Sequence, residues 1–298
     1  MQRVVAARDP STIGGSGWNP ARLARLRRRR ARGIIGWGLC GLALGLLSVA
    51  MLWILLLVFW RGITALRPEI FTHVTQGTGG GLLNAIEGTL LIGVGSMLLA
   101  IPLGVGAGLY IALFSYTWWA KTIRFLSDVL VGVPSIVLGY FGYITMVELA
   151  GWGFSLAAAA ITIGILCLPY ICRSTELALL QVPNALKEAA YALGAGDGRV
   201  AFQIALPAAL PGVLTGILLA FAISIGETAP LIYTAGWSDY LWTGKFTHAP
   251  LGYLTYAIWA FINEPFASAN ALAYAAAFLV TFMVLLISIA ARTAMSRR

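Results

Sequence analysis

Six apolar stretches constrain this chain more than any other feature. They cover residues 34–60, 88–114, 125–147, 154–172, 210–233 and 271–291, and each holds 19 to 27 residues. At about 1.5 Å of rise per residue, all approach or exceed a hydrocarbon core of about 30 Å. In lipid each must satisfy its backbone internally, so each is expected as a helix. Composition agrees, with 59% hydrophobic and only 10% charged residues, where a soluble domain has about half and about a quarter. The expectation is an all-α integral membrane protein with six transmembrane helices. A secreted disulfide scaffold, a disordered chain and an ordinary soluble enzyme are excluded. The first stretch is too long for a signal-peptide core and has no small-residue cleavage site behind it, so it is expected to stay as a span.

The net charge of +9 is local. Residues 1–32 hold nine arginines and one aspartate, which makes 1–33 a basic N-terminal arm ahead of a membrane domain, 34–298. A basic arm of this kind is not a nucleic-acid-binding face. Its arginine run 27–30 is expected to set topology and to meet anionic membrane lipid. With six spans, one side collects the arm, Lys121, Arg124, Arg173, Lys187, Arg199, Arg292, Arg297 and Arg298. That is 17 basic residues against three, Arg61, Arg67 and Lys245, on the other. The positive-inside rule then places both termini in the cytoplasm of a multi-pass plasma-membrane protein.

Little in the chain suggests chemistry. Cys40, Cys167 and Cys172 all lie in apolar stretches and form neither a disulfide framework nor a CxxC pair. His73 and His248 stand in separate connections without metal-ligand spacing, so no metal site is expected. The aromatic connection 234–268 is expected to contain a helix, from Tyr253 to Phe261, lying at the outer membrane boundary, where amphipathic rings are favoured.

The connection 173–209 is different. Pro183 and Asn184 open a run of helix formers that stops at Gly194, a residue suited to a left-handed helix end. It reads Glu188-Ala189-Ala190, then Gly194, then Ile204, then Leu206-Pro207. This resembles the EAA loop of the permease subunits of ABC importers, with every fixed position filled. The resemblance implies that a coupling helix docks onto a separate ATPase subunit and passes its closure into the spans. The chain has no phosphate-binding loop of the GxxxxGK[ST] kind, and Gly244-Lys245 lacks the upstream glycine. ATP and Mg are therefore expected on partner ATPase subunits, with no cofactor and no catalytic residue in this chain.

Three further stretches narrow the resemblance: Gly132-Val133-Pro134-Ser135-Ile136-Val137-Leu138-Gly139, Gly226-Glu227-Thr228-Ala229-Pro230-Leu231, and Gly79-Gly80-Gly81-Leu82-Leu83-Asn84-Ala85-Ile86. With Val182-Pro183-Asn184 they resemble the PstA-type permease of the phosphate-specific ABC importer, from about residue 79 onward. That family implies the type I importer permease fold, a homologous second permease, two ATPase subunits and an external phosphate-binding protein. Alternatives are a permease for sulfate or molybdate and a proton-coupled secondary transporter.

Substrate-pathway candidates are Arg173, Glu227, Thr228 and Ser135. Glu227 reads as the one carboxylate well inside an apolar stretch, either a pathway group or a structural one. Paired with a cation such as Arg173, it would cease to repel an anion. Arg173 reads either as a phosphate contact, which the resemblance implies, or as a boundary anchor. Better-known family members carry an arginine three residues before the glycine of Gly226-Glu227-Thr228, where this chain has Ile223. Arg124 and Asp128, four apart, are expected to form an ion pair. The 79–81 run reads as a flexible outer segment or an anion nest.

Overall fold

The computed structural model describes residues 20–296, with side chains from residue 33 to residue 293. Residues 1–19 of the basic arm, Arg297, Arg298 and the side chains of the arginine run 27–30 lie outside this description.

Helix α1 (Pro20–Ala65) starts on a proline, whose missing N–H costs nothing in a first turn, and runs through the arginine run into the first apolar stretch. Arg67, held extended by the proline that follows it, separates α1 from α2 (Pro68–Thr72). Strands β1 (Thr75–Gln76) and β2 (Gly79–Gly80) then pair antiparallel, Thr75 opposite Gly80. The expected flexible glycine segment is thus a paired hairpin. Buried Thr75 pins it by donating to the Gly81 carbonyl at 3.0 Å.

Helix α3 (Leu83–Leu113) is the second span. The third is not continuous, as the sequence led us to expect. It splits into α4 (Trp118–Gly132) and α5 (Ser135–Gly142), which continues as a π-helical turn Tyr143–Leu149, and the halves are bent by 100°. Pro134 supplies no N–H, and it forces Val133 out of helical geometry. Helix α6 (Leu156–Leu180) runs beyond the expected end at Cys172. After it come α7 (Asn184–Ala192), the single turn α8 (Asp197–Arg199), a π-helical stretch Val200–Ala205 and α9 (Leu206–Gly226). The expected fifth span also breaks. Glu227 is extended, and α10 (Ala229–Thr234) restarts with Pro230 in its first turn. Helices α11 (Leu254–Phe261) and α12 (Ala267–Ser296) complete the order. Among the described residues five helices are long and apolar enough to cross a membrane, and the bent pair makes a sixth crossing if its halves form one span.

The chain divides into two compact units, Met1–Leu57 and Val58–Arg298. The described part of the first is helix throughout, and its side chains from residue 33 to residue 56 are exposed. In the second, α3, α6 and α9 pack most closely. Small residues permit this: a Cβ at Gly108 of α3 would stand 2.7 Å from Thr175 Cβ of α6. Lipid is as apolar as leucine, so such contacts gain dispersion energy rather than hydrophobic burial. Ser96 and Ser224 add a buried hydrogen bond of 3.0 Å between α3 and α9, worth roughly 0.6 kcal/mol in membrane proteins.

A second cluster joins α11 to α12 and the start of α3 through Leu82, Ala85, Leu254, Ala257 and Ala273. The expected boundary helix therefore forms where the sequence placed it, but it packs inward. Leu254 and Ala257 are fully buried, as is Tyr253 just before them. Hydrogen bonds draw it in. Leu254 N–H donates to Thr89 Oγ1 at 2.9 Å, and Thr255 Oγ1 donates to the Glu227 carbonyl at 2.7 Å.

Candidate transport site and coupling surface

Helix α7 carries Glu188, Ala189 and Ala190, and its termination is fully specified. Gly194 has φ +81°, its N–H donates to the Tyr191 carbonyl at 2.9 Å, and Ala195 N–H donates to the Ala190 carbonyl at 3.1 Å. This is the paired-bond helix end that a left-handed residue makes possible. Ala190 faces inward, while Glu188 and Ala189 are exposed and Leu193 is 90% exposed. Among the described residues Glu188 forms no ion pair. Tyr191 donates to Asp197 Oδ1 at 3.0 Å, bracing α7 against the turn that follows. Partial burial and that acceptor hold the Tyr191 phenol above its usual range, so it remains a donor at physiological pH.

The loop is bolted to the spans. Val182, Ala201 and Ala205 form one apolar cluster with Leu109 of α3, Ala178 and Leu179 of α6, and Ala209 and Val213 of α9. Ile204 and half-buried Leu206 bracket Ala205, and Pro207 opens α9 where the π-helical stretch ends. The connection that carries α7 is therefore anchored on three spans at once by close-packed side chains.

The two helix breaks meet. Gly139 of α5 lies directly on Pro230 of α10, where any Cβ would overlap the proline's Cα. Ser135, the first residue of α5, lies close to the Glu227 carboxylate. Thr228 caps α10 with non-helical geometry, and both Glu227 and Thr228 are half-buried. Cys167 of α6 lies nearby, its Sγ directed to the Ala220 carbonyl at 3.4 Å. Thus three of the four pathway candidates, Ser135, Glu227 and Thr228, gather where two interrupted helices cross. Interrupted helices inside a membrane are tolerated where they are buried in protein or line a cavity.

Arg173 belongs to another cluster. It donates to Glu176 Oε2 at 2.8 Å, while Arg124 of α4 reaches Glu176 Oε1 with Nε at 3.1 Å and a terminal nitrogen at 2.6 Å. The expected Arg124–Asp128 pair is corrected here, since Arg124 pairs with Glu176 instead. Arg173, one of the cations offered as a partner for Glu227, also pairs with Glu176, whose side chain is only 3% exposed and more deeply buried than Glu227. The apolar stretch ended at Cys172, so Glu176 read as a loop residue. Its three-residue spacing from Arg173 was the available signal. Asp128 shares a small cavity of about 40 Å³ with this cluster and makes no ion pair among the described residues.

The structure is thus a bundle of apolar helices with two broken helices in contact and an exposed helix on the connection between α6 and α9. The chain belongs to the family of binding-protein-dependent transport system inner membrane components, whose family model matches residues 100–297. It is 43% identical over 272 residues to the phosphate transport system permease protein PstA 2 of Mycobacterium tuberculosis (strain CDC 1551 / Oshkosh), covering 91% of this chain and 90% of the relative. It is 37% identical over 256 residues to the phosphate transport system permease protein PstA of Yersinia pestis, covering 83% and 84%. In structure it is similar to a chain of the MetNI methionine ABC transporter solved in inward-facing conformations, with a TM-score of 0.57 at 21% identity, covering 72% of this chain and 94% of that one. The fold is that of a type I ABC importer permease.

Proposed function

We propose that this chain is the permease subunit through which an ABC importer moves inorganic phosphate into the cell. In this reading it sits in the plasma membrane with both termini in the cytoplasm, beside a homologous second permease. Two ATPase subunits, which hold ATP and Mg, dock on α7, and an external phosphate-binding protein delivers the anion. The observation that carries the coupling role is the exposed α7, ended by Gly194, on a connection whose flanking residues Val182, Ala201 and Ala205 pack on α3, α6 and α9. The substrate follows from likeness to curated phosphate permeases over nine-tenths of the chain.

The residues divide the work as follows. Glu188, Ala189, Ala190 and Gly194 form the docking surface, and Ile204, Leu206 and Pro207 lead its movement into α9. The crossing of the two broken helices is the flexible part of the pathway, because a chain break bends at little cost while an intact helix does not. Phosphate retains a proton near neutral pH, which sulfate lacks. A carboxylate at Glu227, beside Ser135, can accept a hydrogen bond from that protonated oxygen and would repel an anion without one.

The test is uptake of radiolabelled phosphate into vesicles containing this chain, its partner permease, the ATPase subunits and the binding protein. ATP-dependent uptake that a large excess of sulfate leaves untouched is expected. Uptake driven by a proton gradient alone, or ATP-dependent uptake of sulfate or molybdate in place of phosphate, overturns the reading.

A further inference from the structure

Two of the three basic residues on the cation-poor side of the chain, Arg61 and Arg67, line one continuous groove. It lies between the end of α1 with α2 and the start of α12. It consists of two hollows of about 470 and 370 Å³ that share Ala65, Arg67, Ala267 and Ala271, so Arg67 stands on the wall between them. Arg61 is held by α12, donating to Tyr274 Oη at 3.1 Å with its guanidinium carbon 5.0 Å from the Tyr274 ring centre. Arg67 is exposed and, among the described residues, has neither an ion pair nor a side-chain hydrogen bond. Glu69 lines only the smaller hollow and is paired with neither arginine.

We propose that this groove binds the phosphate headgroup of an anionic phospholipid, with the acyl chains lying along its alanine walls. Position supports this occupant. Arg61 immediately follows the first apolar stretch, at the level where a span meets the headgroup region, and Trp60 and Phe266 beside it are 74% and 53% exposed. Chemistry supports it too. A planar guanidinium matches a phosphodiester with two parallel hydrogen bonds, and Arg61 is already oriented by Tyr274. Free inorganic phosphate is more strongly hydrated and would leave Ala65, Ala267, Ala271 and Leu272 of the lining uncovered, whereas a lipid covers them. The inference is independent of what the permease transports.

The test uses the complete importer in nanodiscs containing phosphatidylglycerol, with tightly held lipid counted by native mass spectrometry after release into detergent. The wild type is expected to retain phosphatidylglycerol, and the double variant Arg61→Gln, Arg67→Gln to retain about tenfold less, the effect of losing one strong contact. Ala271→Leu fills the exposed groove wall without touching either charge and is expected to reduce retention as well, separating groove loss from misfolding. A high concentration of inorganic phosphate should not displace the lipid. Displacement by inorganic phosphate would reassign the groove to the free anion, and equal lipid retention in wild type and both variants overturns the proposal.

Discussion

Gly194 is a residue whose substitution tests the proposed mechanism directly, since its backbone geometry ends α7. At φ +81° a side chain is strained, yet nothing lies within 4 Å of where its Cβ would stand, so space is not the obstacle. Gly194→Val is expected to cost the end of α7 about 1–2 kcal/mol of left-handed strain and to abolish uptake while membrane insertion stays normal. Gly194→Asn, which tolerates that conformation, should recover much of the activity. Co-purification of the ATPase subunits with each variant checks this, and unchanged uptake with valine contradicts the docking role. Glu227 is the second such residue. Glu227→Gln keeps the shape but adds donors that can satisfy sulfate. Phosphate uptake should fall, and discrimination against sulfate should narrow by on the order of 1–3 kcal/mol, the scale of one unpaired buried polar contact. Uptake of both anions at equal complex abundance checks it; an unchanged ratio leaves Glu227 a structural neighbour of Ser135.

At the scale of elements, the decisive contact is α5 on α10. Each is too short to cross a membrane, and each begins at a proline-linked break. Their approach depends on Gly139 having no side chain to meet Pro230. Gly139→Leu is expected to force the two half-helices apart. Uptake should be lost while α7, on a connection anchored to α3, α6 and α9, still recruits the ATPase subunits. Parallel measurement of uptake and ATPase association distinguishes this from general misfolding, in which both disappear. The Arg124–Glu176–Arg173 cluster acts at the same scale, tying α4 to α6 through a buried carboxylate. Leaving charge there uncompensated is costly, which is why one acid is answered by two guanidinium groups.

For the whole molecule, the charge asymmetry of 17 to 3 predicts which side each connection faces. Single cysteines at Gly198 and Tyr240, both exposed, should react with impermeant reagents from opposite sides. The background must lack Cys40, which is exposed, more than Cys167 and Cys172, which are buried. A third label at Tyr116, 77% exposed just before the bent pair, tests whether α4 and α5 together cross. It should react from the Gly198 side. Reaction from the Tyr240 side would mean that the pair folds back and that the chain crosses five times.

Membrane character, the helical class, the approximate spans and the short helix ended by Gly194 were legible in the sequence, because each rests on local rules. Hydrocarbon demands long apolar helices, and a left-handed helix end selects glycine at 194. The break at Pro134 was equally local and went unread, because hydropathy averages over a proline. Other features depend on which helices become neighbours, and only the tertiary structure decided them. Spacing along α4 offered Asp128 to Arg124, but α6 brought Glu176 closer and buried it. Aromatic content marked α11 out as a helix, but its hydrogen bonds to Thr89 and the Glu227 carbonyl follow from its neighbours alone. The meeting of Ser135 with Glu227 joins residues 92 positions apart in sequence. No local pattern encodes that distance, since it is fixed by two chain breaks whose small residues let them touch.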